Sequence, residues 1–205
     1  MWAPSLTVGL RHRLQTPRGL QTRSYRHTSK MKRDYIEFQE RSEPLGYFIS
    51  FRCHGTWLHG DKRGSVNRRS FNAFGTPKMP PNANLEKSDR SQLKNTHVLL
   101  DAKRRSVVEV AIREVCAFRG IGLVTVNVRT NHVHLVVLTN RRPEPVMNSF
   151  KAYATRSLRE KGLIGPQEKV WSRHGSTRYL WTEEHIASAV EYVVNGQGGE
   201  LPRFD

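Results

Sequence analysis

Between Tyr47 and Cys53 apolar and polar residues alternate. Tyr47, Ile49, Phe51 and Cys53 fall on one side; Phe48, Ser50 and Arg52, continuing to His54, fall on the other. A period of two predicts a strand with one face toward a core. The period lengthens over residues 102–120, where Val108, Ala111, Ile112 and Val115 recur at helical spacing and Gly120 supplies a stop. Alternation returns in "GLVTVNVRT", with Val124, Val126 and Val128 on one face, and again in "HVHLVVL", the two joined by a tight turn at Arg129, Thr130 and Asn131. "PEPVMNSFKAYATRSLREKG" predicts a second helix with Val146, Met147, Phe150, Ala154 and Leu158 inward, ended by Gly162 and Gly165. "VWSRHGSTRYLW" predicts a further strand or hairpin. "TEEHIASAVEYVVNGQGG" predicts a last helix, with Thr182 as N-cap, Glu183 and Glu184 in the first turn and Gly196 at the end. The order β-α-β-β-α-β-α predicts an α+β fold: a ferredoxin-like or RRM-like antiparallel sheet with two helices on one face, plus a C-terminal helix bearing Tyr192.

The flanks lack this periodicity. Residues 1–44 form a basic extension expected to be disordered; its first 33 residues hold eight Lys or Arg and no acidic residue. Three readings compete for it: an Arg-rich transit peptide, an arm adding nonspecific phosphate contacts, or a stretch upstream of a true start at Met31. Residues 45–199 make the predicted domain and 200–205 a tail. A long, mobile surface excursion is expected near 67–95, rich in Asn, Pro, Ser, Lys and Arg.

Charge narrows the functional class. The chain has 34 Lys and Arg against 18 Asp and Glu, a net +16, and the part beyond residue 33 is still basic. Such a field favours polyanions, above all nucleic acid. No apolar run approaches the length of a membrane span. Cys53 and Cys116 are far apart and in no CxxC pattern, so a reducing compartment and two free thiols are expected, and a cysteine-based zinc site is excluded by count.

Two polar residues interrupt the most apolar strand. His132 and His134 alternate with Val133 and Leu135, so both imidazoles share one face. Two imidazoles on a strand can grip one divalent cation if a third ligand arrives from elsewhere; equally, they can be half-exposed histidines on an open sheet. Downstream, Tyr192 lies in the last helix with Asn195 and Gln197 after it. A phenol can attack a phosphodiester when a metal polarises a nonbridging oxygen, and the amides offer carbonyl oxygens as a third ligand. At about 100° per residue, Asn195 lies about 60° round the helix from Tyr192 and Gln197 about 140°. Tyr153 is the rival nucleophile, but it sits at the edge of an inward stripe. Arg52, His54, Lys151, Arg156 and Arg159 are candidate DNA contacts, with a solvated surface as the plain alternative. Trp57, Trp171 and Trp181 are available to stack on bases or to pack. His59 and Asp61 are expected to pair within their loop.

The stretches "YFISFRCHGTWLHGDKRGSV", "VLLDAKRRSVVEVAIREVC", "TVNVRTNHVHLVV", "NSFKAYATRSLRE" and "YLWTEEHIASAVEYVVNGQG" together resemble the single-tyrosine HUH transposases (His, a bulky apolar residue, His), the IS-two-hundred-like family, and most of all its repeat-associated (REP-associated) relatives. The resemblance spans most of residues 45–199. It implies a bacterial, cytoplasmic, DNA-associated transposase that cleaves and rejoins hairpin-associated single-stranded DNA through a 5′-phosphotyrosine. It implies Tyr192 as nucleophile, with His132, His134 and an amide holding Mg²⁺ or Mn²⁺. Members often carry Gln or Asn four residues after the tyrosine; here that place is Gly196, which leaves Gln197 and Asn195 as alternatives, Gln197 preferred for its place in "GQG". A homodimer and a monomer are both compatible with the resemblance. The competing reading is a domesticated relative that binds structured nucleic acid without cleaving it.

Overall fold

The computed structural model describes residues 42–66 and 77–197. The expectations for the N-terminal extension with its start at Met31, for residues 67–76 of the excursion and for the tail fall outside these residues. Four strands, β1 (Gly46–Cys53), β2 (Gly122–Val128), β3 (His132–Leu138) and β4 (Trp171–Leu180), form one antiparallel sheet in the order β2-β3-β1-β4. Among the described residues four helices accompany it: α1 (Ala83–Ser91), α2 (Ala102–Arg119), α3 (Pro143–Glu160) and α4 (Glu183–Asn195). Strand order and direction are those of a ferredoxin-like α+β fold, as the element order predicts.

The alternating strands divide the molecule into two layers of packing. Ile49, Phe51, Val133 and Leu135 leave one sheet face and meet Val108, Ile112 and Val115 of α2 and Val146, Phe150 and Leu158 of α3 in the main core. On the other face α4 closes a smaller core of Val136, Leu180, Ala189 and Val193, edged by Phe48, Ile186 and Val190. The helices begin where their caps dictate. Asp101 accepts from Arg104 N (2.7 Å) and Thr182 Oγ1 accepts from His185 N (3.2 Å), each cap contributing about 1 kcal/mol. α2 stops at Gly120, which takes the left-handed conformation with φ +64°. Cys53 and Cys116 are free and buried. Among the described residues no helix is long and apolar enough to cross a membrane.

Two local expectations need correction. Val124 does not join Val126 and Val128 on the inner side: a register shift between Leu123 and Thr125 reverses the phase, so Leu123 packs on the core and Val124 is exposed. Residues 171–180 form one strand, the first of the two forms expected there. The 67–95 excursion contains α1, a helix with no buried residue. It has no apolar stripe to detect; the Asn82 cap on Leu85 N (3.0 Å) and the Arg90–Glu86 pair (2.7 Å) support it.

Gly175 of β4 lies under α3, where a Cβ would run into Met147 Sδ and Ser50 O. Gly175→Ala is expected to cost about 1–3 kcal/mol through overpacking, read as a lower urea midpoint with an unchanged slope.

Candidate active site

His132 and His134 occupy the sheet face opposite Val133 and Leu135, the face that α4 crosses. Each ring is fixed by its Nδ1. Ser50, the cross-strand neighbour of His134, places Oγ 2.5 Å from His134 Nδ1; Asn131 Oδ1 lies 2.5 Å from His132 Nδ1. Phe48 stacks on His134 with ring centroids 5.4 Å apart. Burial, assisted by His132 and Arg52, pushes His134 down to about 3. Burial also lowers His132, joined by the charges of Arg52, Arg129 and Arg63 and opposed by a contact with Gln197. Both imidazoles are therefore neutral at pH 7, the form that binds metal.

The end of α4 brings the remaining groups. Val193 and Ala189 anchor the helix in the smaller core, and Asn127, cross-strand from His134, donates Nδ2 to Val193 O at 2.8 Å. Tyr192, the preceding residue, is 47% exposed, with its ring edge-on to His134 (5.6 Å) and Phe48 (5.8 Å). The helix stops at Gly196, whose N–H donates to Tyr192 O at 3.0 Å. A Cβ on Gly196 would meet Tyr192 Cδ2 and O at 2.7 Å. The chain then folds back, so that Gln197 donates Nε2 to Tyr192 O (3.1 Å) and sets Oε1 3.2 Å from His132 Nε2. Asn195 instead donates to Glu191 Oε1 (2.9 Å) along the helix. Of the two amides, Gln197 is the one brought to the histidines.

The donor set suits a cation. When His132 Nδ1 donates to Asn131 Oδ1, Nε2 presents a lone pair; Gln197, oriented by its bond to Tyr192 O, presents another. In the other tautomer the same 3.2 Å contact is a hydrogen bond donated by His132 Nε2 to Gln197 Oε1. Neighbouring ligand atoms around an octahedral Mg²⁺ are about 3 Å apart. Among the described residues no group of three or more His, Cys, Asp or Glu offers a metal site, so the two imidazoles and the amide are the donors available.

The five candidate DNA contacts separate. Arg52 is the cross-strand neighbour of His132. His54 lies near Asn95 and Lys169, with Nε2 buried and unpaired among the described residues. Lys151 requires correction as a phosphate contact. It is 7% exposed and donates to Ser172 O and His174 O at 3.0 Å each, which joins α3 to β4. Arg156 and Arg159 line a groove of about 620 Å³ between α3 and residues 168–172, on the helical layer away from the histidines. Tyr153 packs partly buried against the main core, with Arg156 5.1 Å from its ring. Trp171 is buried and donates to Lys151 O at 3.0 Å, and Trp181, also buried, stacks on Tyr179. The expected His59–Asp61 pair does not form: His59 meets Asp89 (2.8 Å) and Asp61 pairs with Arg63.

Sequence reasoning missed Ser50, Asn131 and Asn127. Ser50 and Asn127 are polar steps in alternating strands, and pairing the strands in register would have set both beside His134.

The family model described as "Transposase IS200 like" matches residues 92–195, about half of the chain. Among solved structures, a REP-associated tyrosine transposase bound to a REP hairpin aligns at 11% identity and a TM-score of 0.42, over 74% of this chain and 65% of that one. A protein of Deinococcus radiodurans provisionally described as a transposase aligns at 15% and 0.41, over 76% of this chain and 93% of the other. The chain thus spans 65% of the length of the first of these. No curated protein matches.

Burial pushes the Lys151 amine down to about 8. Between pH 8 and the ordinary value near 10.5 the unfolded chain then holds more protons than the folded one, so this group makes stability rise with pH. Lys151→Met is expected to flatten that rise, measured by urea denaturation between pH 7.5 and 10.

Proposed function

The chain belongs to the IS200-like transposase family, and on that premise we propose that it is a metal-dependent single-strand DNA endonuclease and strand transferase with Tyr192 as its nucleophile. The observation that carries this reading is the meeting of Tyr192, His132, His134 and Gln197 on one sheet face. A Mg²⁺ or Mn²⁺ held by the two imidazoles and the Gln197 oxygen would polarise a nonbridging phosphate oxygen and offset its developing charge.

The residues of the chain do the rest. Ser50 and Asn131 hold the imidazoles by Nδ1 and so fix which nitrogen faces the substrate. Asn127 and the smaller core keep the Tyr192 end of α4 over the sheet. Tyr192 Oη attacks phosphorus and gives up its proton; the 3′-oxygen of the upstream nucleotide leaves with the bonding pair and takes a proton to become a free 3′-hydroxyl. The downstream strand stays joined through a 5′-phosphotyrosine. Attack on that ester by a second 3′-hydroxyl restores the phenol and rejoins DNA without an external energy source. Single-stranded DNA beside a hairpin is the partner this reading requires, with backbone contacts positioning it and a few base contacts specifying it.

The test is incubation of the full-length protein with hairpin oligonucleotides tiled from the DNA flanking its gene, in Mn²⁺. A denaturation-resistant protein–DNA adduct is expected. It should disappear in Tyr192→Phe, fall at least about 100-fold in His134→Ala, and persist in Tyr153→Phe; Gln197→Ala should reduce it more than Asn195→Ala. Binding without an adduct on any hairpin would favour the non-cleaving alternative.

A further inference from the structure

The proposed site contains a cation that its chemistry has not used. Arg52 is opposite His132 in the β1–β3 register, and its charge is felt by both imidazoles. Its guanidinium carbon lies over the Trp57 indole, 3.4 Å from the ring centre. Trp57 is itself fixed: Nε1 donates to Gly64 O at 2.8 Å, and the loop turns sharply at Gly60 (φ +80°) and Gly64 (φ +73°).

Two further cations gather at the same ring. Arg63 lies 4.5 Å and Lys78 5.3 Å from its centre. The nearby carboxylate is committed elsewhere. Asp61 accepts from Arg63 N, Nε and Nη2, and Arg63 holds its carboxyl down to about 2. Arg52 forms no ion pair with any described carboxylate. Burial, reinforced by Arg63, lowers it to about 10. A partly buried guanidinium without an anion is costly in the free protein and ready to receive one.

We propose that Arg52 binds a backbone phosphate of the single strand entering the histidine pair, and that Trp57 is the positioning residue that holds its guanidinium flat for that contact. The stretch "GTWLHGDKRG" then has a physical purpose: its glycines and the Asp61–Arg63 pair shape a loop whose product is the placement of one indole. Planarity is the property used. Arginine can lie on a ring and still offer its N–H edge to a phosphate, whereas lysine offers a point charge that stacking does not orient.

This inference rests on reading the site as one that processes single-stranded DNA, and its test separates the two. Binding of the full-length protein to an oligothymidylate twelve-mer is measured by fluorescence anisotropy without metal, over a range of salt. Arg52→Gln is expected to weaken binding about tenfold at low salt and to reduce the slope of log affinity against log salt by about 0.7. Arg52→Lys should recover the slope and only part of the affinity. Trp57→Leu should lose affinity as Arg52→Gln does, Trp57→Phe should keep most of it, and Arg52→Gln with Trp57→Leu together should lose no more than either alone. Unchanged affinity and slope in Arg52→Gln overturns the proposal, as does full additivity of the two losses. Because the assay needs neither metal nor cleavage, a protein that forms no adduct yet shows the Arg52 effect would refute the tyrosine chemistry and leave this phosphate site standing.

Discussion

The packing of Val133, Leu135 and Val137 against α2 and α3 fixes where His132 and His134 point, because successive side chains of a strand leave from opposite faces. Slipping β3 by one residue would put the imidazoles in the main core and the valines on the open face. The same slip would separate Ser50 from His134 and Arg52 from His132, which meet only in the observed register. The core therefore fixes the geometry of the site as well as holding the fold together.

The second constraint is electrostatic. The site face collects neutral imidazoles, an amide oxygen, a phenol and a stacked guanidinium, with Asp61 tied to Arg63 at its margin. A face so short of free anionic charge suits a substrate that brings its own. The groove lined by Arg156 and Arg159 belongs to the other layer, so the basic character of the molecule is distributed over both sides of the sheet.

Much of this was legible from periodicity. Strands β1 and β3, helices α2, α3 and α4 and the shared face of the histidines followed from apolar spacing, because each buries a continuous stripe or alternating face. α1 was not legible, since it buries nothing. The phase of Val124 was lost to a bulge that leaves no residue signature. Lys151 read as a surface lysine because its two carbonyl acceptors come from β4, more than twenty residues on. The competition between Asn195 and Gln197 turned on how the chain leaves Gly196. Helical angles favoured Asn195, but the helix ends at Gly196, and those angles do not extend to Gln197.

The carbonyl of Tyr192 accepts from both Gly196 N and Gln197 Nε2. The residue read as the nucleophile and the residue read as a ligand are thereby joined by one short backbone tether. A displacement of α4 large enough to carry a tyrosine-linked strand away from the sheet would take the Gln197 oxygen with it and leave the imidazoles behind on β3. Departure of the linked strand and dismantling of the donor set would then be a single event. A helix that had swung away would have to dock again before the ester could be reversed at the same site.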